Sequence, residues 1–145
     1  MREITADEVG RLRECLEALA AHHNKVSNNF QGFYPNRSHE TTLAMFREVL
    51  QEQSSRVAVV EKDGRVAGFC KVDMQADKGK LEYLVVLPDF RKQGYGKALM
   101  DWGMETLRRQ GVKQIEVKVV DGNDAIELYK SYGFQINAQI LLKLM

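Results

Sequence analysis

The sequence predicts one domain over residues 1–145 of mixed α/β class, with a largely antiparallel central sheet flanked by helices. Three observations carry that prediction. Apolar residues recur at helical spacing near the start, through Val9, Leu12, Leu16 and Leu19. Two β-branched runs meet at Asp63-Gly64, a dipeptide suited to a tight hairpin turn. A third apolar run enters a glycine-rich turn that opens a further helical pattern. A chain of 145 residues that is 44% hydrophobic and 28% charged has the balance of a globular domain with a core.

The elements follow in order. Arg2 to Ile4 suits a very short strand, and Thr5-Ala6-Asp7-Glu8 is a capping box that starts a helix. That pattern fades near His22-His23-Asn24, and a polar loop from Lys25 to Arg37 follows, carrying Phe30, Phe33, Tyr34 and Pro35. Ser38 caps a second helix with Leu43, Phe46 and Leu50 on one face. Arg56–Glu61, Val66–Met74 and Lys80–Leu87 read as a meander of strands, the last ended by Pro88. Tyr95–Gln110 reads as a helix with Leu99, Trp102 and Leu107 inward, stopped by Gly111. Ile115–Val120 is a strand, Asp124–Tyr132 a short helix ended by Gly133, and Phe134–Met145 an extended segment, apolar at its end.

Composition narrows function by exclusion. With 21 basic and 20 acidic residues the formal charge is +1, which argues against a general nucleic-acid binder and gives no pull toward a polyionic acceptor. The two cysteines, Cys15 and Cys70, lie in apolar patterns without metal-ligand spacing and read as buried free thiols. Met-Arg-Glu-Ile-Thr lacks an apolar signal core, and no run is long enough to span a membrane, so a cytoplasmic chain with no membrane partner and no metal is expected.

The chemistry is concentrated in Arg91-Lys92-Gln93-Gly94-Tyr95-Gly96. A strand runs into this turn and a helix leaves it, so the first helical amides point outward without internal partners. The helix dipole adds partial positive charge there, and a phosphate group fits such a site. Gly94 and Gly96 admit a close backbone approach, and Arg91, Lys92 and Lys97 add cationic charge. Two nucleotide loops fail on residues. A P-loop needs Ser or Thr after Gly-Lys, but Gly96-Lys97 is followed by Ala98, and no glycine stands five positions before Gly96. A dinucleotide fingerprint needs a small residue three after Gly96, where Leu99 stands.

Arg91 to Gly96 satisfies [QR]-x-x-G-x-[GA], and in this the chain resembles the GCN5-related N-acetyltransferase (GNAT) superfamily. Leu81 to Phe90 is similar to that family's fourth strand and its exit, and Asn123 to Phe134 to its N-x-x-A-x-x-L-Y-x-x-x-G-F segment. One residue separates Asn123 from Ala125, where the pattern commonly has two. The likeness covers residues 56–145; the first 55 share only a pair of helices.

The resemblance implies acetyl-CoA as cofactor and direct transfer of its acetyl group to a primary amine in a ternary complex. It implies that the cofactor arm pairs with the main chain of Leu84, Val85 and Val86, that the pyrophosphate sits on Arg91 to Lys97, and that Asn123 contacts the arm. The Val86 amide is a candidate oxyanion donor. Tyr129 matches the tyrosine that stands near the thioester sulfur and protonates the leaving thiolate; it also suits a core-facing aromatic that shares a face with Ile126. Glu82 is the candidate general base, on the strand face of Leu84 and Val86, although an edge position or a partner such as Lys80 explains it equally well. His22 and His23 are rival bases. His23, Phe30, Phe33 and Tyr34 are the candidate acceptor-binding residues. The acceptor is an amine of a small molecule, peptide or protein, and a homodimer is compatible with the family. A CoA-binding sensor or interaction module without catalysis is the competing reading.

Overall fold

The computed structural model describes residues 1–145. Five strands form one sheet in the order β1-β2-β3-β4-β5: β1 (Arg2–Glu3), β2 (Ser55–Lys62), β3 (Arg65–Gln75), β4 (Lys78–Val86) and β5 (Gln114–Val117). The first four pair antiparallel, and β5 joins β4 in parallel. Helices α1 (Arg13–Val26), α2 (His39–Gln51), α3 (Tyr95–Arg109) and α4 (Ala125–Ser131) cover the sheet. This is the mixed, mostly antiparallel architecture that the sequence predicts.

The two faces of the sheet are set by alternation along β3. Phe69 packs toward Phe46 of α2, with ring centroids 6.3 Å apart. Cys70 and Val72 turn to the other face, where they and Leu81 crowd the position a Cβ would take on Gly103 of α3. The sheet is therefore buried on both sides, and Val57, Ala58, Val59, Phe69, Cys70 and Val72 are all fully enclosed. Cys15 and Cys70 are buried and unpaired, as the apolar patterns around them predict.

Several element boundaries differ from the sequence expectation. The capping box at Thr5 forms, but it opens a 3₁₀ helix over Ala6–Leu12 that continues as α1. That helix does not fade at His22 and runs on to Val26. Trp102 is half-buried rather than fully inward, because it faces a surface groove beside Met1 and Arg56. The strand expected over Ile115–Val120 ends at Val117, and residues 134–145 form no strand at all. In this chain no strand lies on the far side of β5 to hold either segment in a ladder.

Candidate active site

The sheet opens where β4 and β5 part. β4 pairs with β3 as far as Val86, but with β5 only from Lys78 to Leu81, opposite Gln114 to Val117. From Glu82 onward one edge of β4 has no neighbour. Alternation fixes which groups line that edge. The Leu87 amide donates to the Ala67 carbonyl at 2.8 Å, toward β3. Val85, two residues earlier, turns its main chain the same way, and its carbonyl oxygen lies against Gly68. Leu84 and Val86 therefore present their amides and carbonyls to the opening. In agreement, Arg91 Nε reaches across the opening to donate to the Val86 carbonyl at 3.3 Å. Of the three strand residues expected to offer main-chain contacts, Val85 is the one facing inward.

The chain leaves β4 through a 3₁₀ turn at Pro88–Phe90 and enters α3 at Gly94. Gly94 has φ 84°, a left-handed conformation that a side chain disfavours, and its surroundings are open. No side chain caps this helix, and the first ladder bond runs from the Ala98 amide to the Gly94 carbonyl at 3.0 Å. The amides of Tyr95, Gly96 and Lys97 are thus the free donors of the first turn. Lys92 and Gln93 are exposed beside them, and Lys97 pairs with Asp101 at 2.9 Å. Tyr132 donates its hydroxyl to the same Asp101 at 2.6 Å, which ties α4 to α3.

A cavity of about 870 Å³ occupies the opening. Its walls are β4 from Lys80 to Val86, Arg91 and Gly96, the end of α1 with His22 and His23, the segment Tyr34–Arg37, and residues 118–129 around Asn123 and Tyr129. Tyr129 is buried and reaches the cavity, packed edge-on against Phe134 at 6.1 Å. Burial, and secondarily the nearby Cys70 thiol, push its phenol up to about 12, so the hydroxyl keeps its proton at neutral pH. Asn123 also borders the cavity, but its side-chain oxygen accepts the Ala125 amide at 3.1 Å and so starts α4.

Glu82 does not sit on the face of Leu84 and Val86. The β3–β4 register shifts between Lys71 and Val72, so Leu81 packs under α3 while Tyr83 packs on Phe46, with ring centroids 5.1 Å apart. Glu82 is the extra residue of this bulge, and its side chain joins the α2 side. There it accepts from Lys71 Nζ at 2.7 Å, and Lys71 also donates to Asp73 at 2.5 Å. The partner is Lys71, not Lys80. Lys71 is 2% exposed and lies 5.0 Å from the centre of the Phe46 ring. Ser55 adds a hydroxyl donor to Asp73 at 2.5 Å. Burial, then the hydrogen bond with Asp73, raise the Glu82 carboxyl above its ordinary value despite Lys71. Asp73 shifts the other way: burial opposes the charge, but the hydrogen bond from Glu82 and the Lys71 ammonium hold it below the usual range. The two carboxyls of the pair are thus pushed apart, Glu82 toward its protonated form and Asp73 toward its ionised one.

The rim opposite β4 is pinned by two side chains that belong to no sequence motif. Asn24 accepts the Gly32 and Tyr34 amides, both at 2.9 Å, and donates to the Tyr34 carbonyl at 2.6 Å. Asp121 accepts from Ser27 Oγ at 2.8 Å and from the Asn28 and Asn29 amides at 2.7 and 3.1 Å. Next to it, a Cβ on Gly122 would stand 2.1 Å from the Val26 carbonyl oxygen, so this contact needs glycine. Among the expected acceptor residues, His23 and Tyr34 face the cavity with rings 5.3 Å apart, whereas Phe30 and Phe33 do not line it; Phe33 meets Tyr34 edge-on and Phe30 at a tilt. Burial, followed by the charge of His22, lowers the pKa of His23 and favours its neutral ring. Opposite charges two residues apart inside an apolar run, Lys71 and Asp73, are the one sequence signal that could have found the buried network.

Comparison with known proteins gives a consistent picture. Residues 19–134 match the model of the acetyltransferase (GNAT) family. The chain is 27% identical over 96 residues to a putative [ribosomal protein bS18]-alanine N-acetyltransferase of Bacillus subtilis, covering 66% of this chain and 64% of that protein. It is 34% identical over 74 residues to the [ribosomal protein bS18]-alanine N-acetyltransferase of Escherichia coli, half of each chain. The matches thus span between half and two thirds of the length of these curated relatives. Among solved structures, a mutant protein from Bacillus halodurans superposes with TM-score 0.78 at 22% identity, covering 99% of this chain and 98% of that one. The aminoglycoside N-acetyltransferase AAC(6')-Iy, in complex with CoA, superposes with TM-score 0.73 at 18% identity, over 99% and 92%. At these identities the superpositions speak for the fold.

Proposed function

Because the chain belongs to the acetyltransferase (GNAT) family, we propose that it transfers the acetyl group of acetyl-CoA to a primary amine by direct attack in a ternary complex. The observation that carries this reading is the parting of β4 from β5 beside an uncapped helix N-terminus. The parted edge offers the main-chain groups of Leu84 and Val86 to an extended amide-bearing arm, and the first turn of α3 offers its amides to a pyrophosphate. An adenosine-linked pantetheine has these two features in this order.

In the proposed reaction the acceptor nitrogen, held neutral, attacks the thioester carbonyl. The Val86 amide donates to the oxygen that becomes negative. Glu82, raised in pKa and facing the cavity, accepts the proton released from the nitrogen. The carbon–sulfur bond then breaks, and the Tyr129 hydroxyl, still protonated at neutral pH, gives its proton to the thiolate. Asp73 and Lys71 keep the second charge of the pair fixed, so Glu82 alone changes protonation. His23 and Tyr34 form the acceptor wall.

The test is a thiol-release screen with acetyl-CoA against a mixed library of peptide N-termini, lysine peptides and small amines. Tyr129→Phe and Glu82→Gln run beside it. Release of free thiol with one amine class, lost in both variants, is the expected result. Acetyl-CoA binding without thiol release across the library would instead indicate a non-catalytic CoA-binding module.

A further inference from the structure

Most arginines of this protein are answered by a carboxylate. Arg37, Arg47 and Arg91 are the exceptions, and Arg37 and Arg91 line the cavity. Arg91 stands at the entry to α3 and donates to the Val86 carbonyl. Arg37 stands on the other wall, in the segment that carries Tyr34. Its Nε donates to Thr42 Oγ1 at 2.9 Å, and Thr42 is 6% exposed in the first turn of α2. A buried hydroxyl thus holds the guanidinium by its near nitrogen, while the two terminal nitrogens meet no acceptor of the protein. A guanidinium held this way presents a planar pair of donors, which a carboxylate matches with two parallel hydrogen bonds.

The free charge around Arg37 is of the same sign. Among the lysines only Lys71 and Lys97 hold a carboxylate, so Lys80 and Lys118, both exposed on the cavity wall, are free. Leu81 pairs with Val117 and packs under α3, so the neighbouring Lys80 and Lys118 turn to the α2 side, the side of Arg37. Two carboxyls line the cavity in return. Glu82 is engaged by Lys71, and Asp124 stands at the start of α4. The formal charge of +1 hides this excess, which belongs to one wall. The Tyr83 phenol links Arg37 to the proposed base: burial, then the Glu82 charge, push its pKa up, and the Arg37 cation opposes them. The free guanidinium and the proton acceptor therefore share one neighbour.

We propose that the acceptor is a small primary amine bearing its own carboxylate a few bonds from the nitrogen, an amino acid by class, and that the terminal nitrogens of Arg37 grip that carboxylate. The proposal rests on the reading of this cavity as the acetyl-transfer site. Lys80 and Lys118 draw the anion toward the same wall. An acceptor with several ammonium groups, such as a polyamine, meets all three cations as like charges. The carboxylate takes no part in bond making. The nitrogen–carbon bond forms, the carbon–sulfur bond breaks, the proton of the nitrogen goes to Glu82, and the thiolate takes the proton of Tyr129.

The test measures thiol release from acetyl-CoA with free amino acids, with their carboxamides and with spermidine. The best free amino acid should exceed its own carboxamide in kcat/KM by about 10–100-fold, the worth of a charge-assisted hydrogen-bonded pair. Arg37→Met should abolish that preference through KM, and Arg37→Lys should restore part of it. Acetyl-CoA affinity by calorimetry and the circular dichroism of Arg37→Met should match the unaltered chain, since Arg37 is exposed and stands off the cofactor wall. Equal or faster transfer to carboxamides or to spermidine overturns the proposal and leaves acetyl transfer standing. A preference for the free carboxylate that survives Arg37→Met also overturns it. So does the absence of release from every free amino acid: release from peptide N-termini or lysine peptides in the same assay then keeps the acetyl-transfer reading, and release from no amine removes both.

Discussion

On one side of the cavity the groups that face the opening are main-chain atoms of Leu84, Val86 and the first turn of α3; on the other they are side chains, lining it or holding the lining in place, from five separate segments. The first wall depends on the parting of two strands and on a loop with two left-handed residues, Lys92 and Gly94. The second depends on Glu82 and Lys71 on neighbouring strands, His23 at the end of α1, Tyr34 in a loop, and Asp121 after β5. In the proposed reaction, a ligand common to many reactions is met by backbone, which is indifferent to side-chain change, and the acceptor is met by side chains, which vary without disturbing the backbone wall. The two walls should therefore fail separately, and the largest expected effects test that separation.

Glu82→Gln removes the proton acceptor and leaves the parted edge intact. Turnover should fall by about 10²–10⁴-fold, while acetyl-CoA affinity by calorimetry stays unchanged. The unaltered enzyme should gain activity as pH rises through a Glu82 pKa lying above the ordinary carboxylate value, because only the ionised form accepts the proton. That limb should be absent from the variant's pH profile.

Lys71→Met takes the cation out of a buried network and leaves two carboxyls facing each other. Removing one partner of such a group costs about 3–5 kcal/mol, read by denaturant unfolding. The pH limb attributed to Glu82 should also move upward, since a lone carboxyl pair resists double ionisation.

Gly94→Val acts on the other wall. A branched side chain at φ 84° costs about 1–2 kcal/mol locally, so acetyl-CoA should bind about tenfold more weakly. The KM for the acceptor amine should not move. A matching rise in both constants would show that the walls are not separable.

Asp121→Asn should have the smallest effect. The hydrogen bond from Ser27, with those from the Asn28 and Asn29 amides, keeps the Asp121 carboxyl below its ordinary pKa. A depressed carboxyl contributes stability above its unfolded pKa and loses it as pH falls through the lower folded value. The variant should lose the part of the acid-unfolding curve in that window, and the acceptor KM should rise a few-fold as the 27–34 rim loosens.

The difference between the walls also decides what the sequence reveals. The glycine loop is legible because its residues are contiguous and each has a local reason: a positive φ at Gly94, free amides after it, cations around it. The order of strands and the two-sided burial of the sheet are legible from apolar runs. The face of Glu82 is not, because a bulge depends on how β3 and β4 register, and period-two counting assumes an unbroken strand. The Asp121 clasp is not legible either, since it joins Ser27 to a residue 94 positions away and neither has a local pattern. The missing last strand has the same origin: residues 134–145 read as extended and apolar at the end, but that pattern does not state which edge receives them.

The most direct test of the separation is a calorimetric titration of acetyl-CoA into the unaltered chain and into Glu82→Gln, paired with single-turnover acetyl transfer in each. The account predicts equal affinities, within about threefold, with transfer lost in the variant. Failure of the unaltered chain to bind acetyl-CoA, or a loss of affinity in Glu82→Gln as large as its loss of transfer, would contradict it.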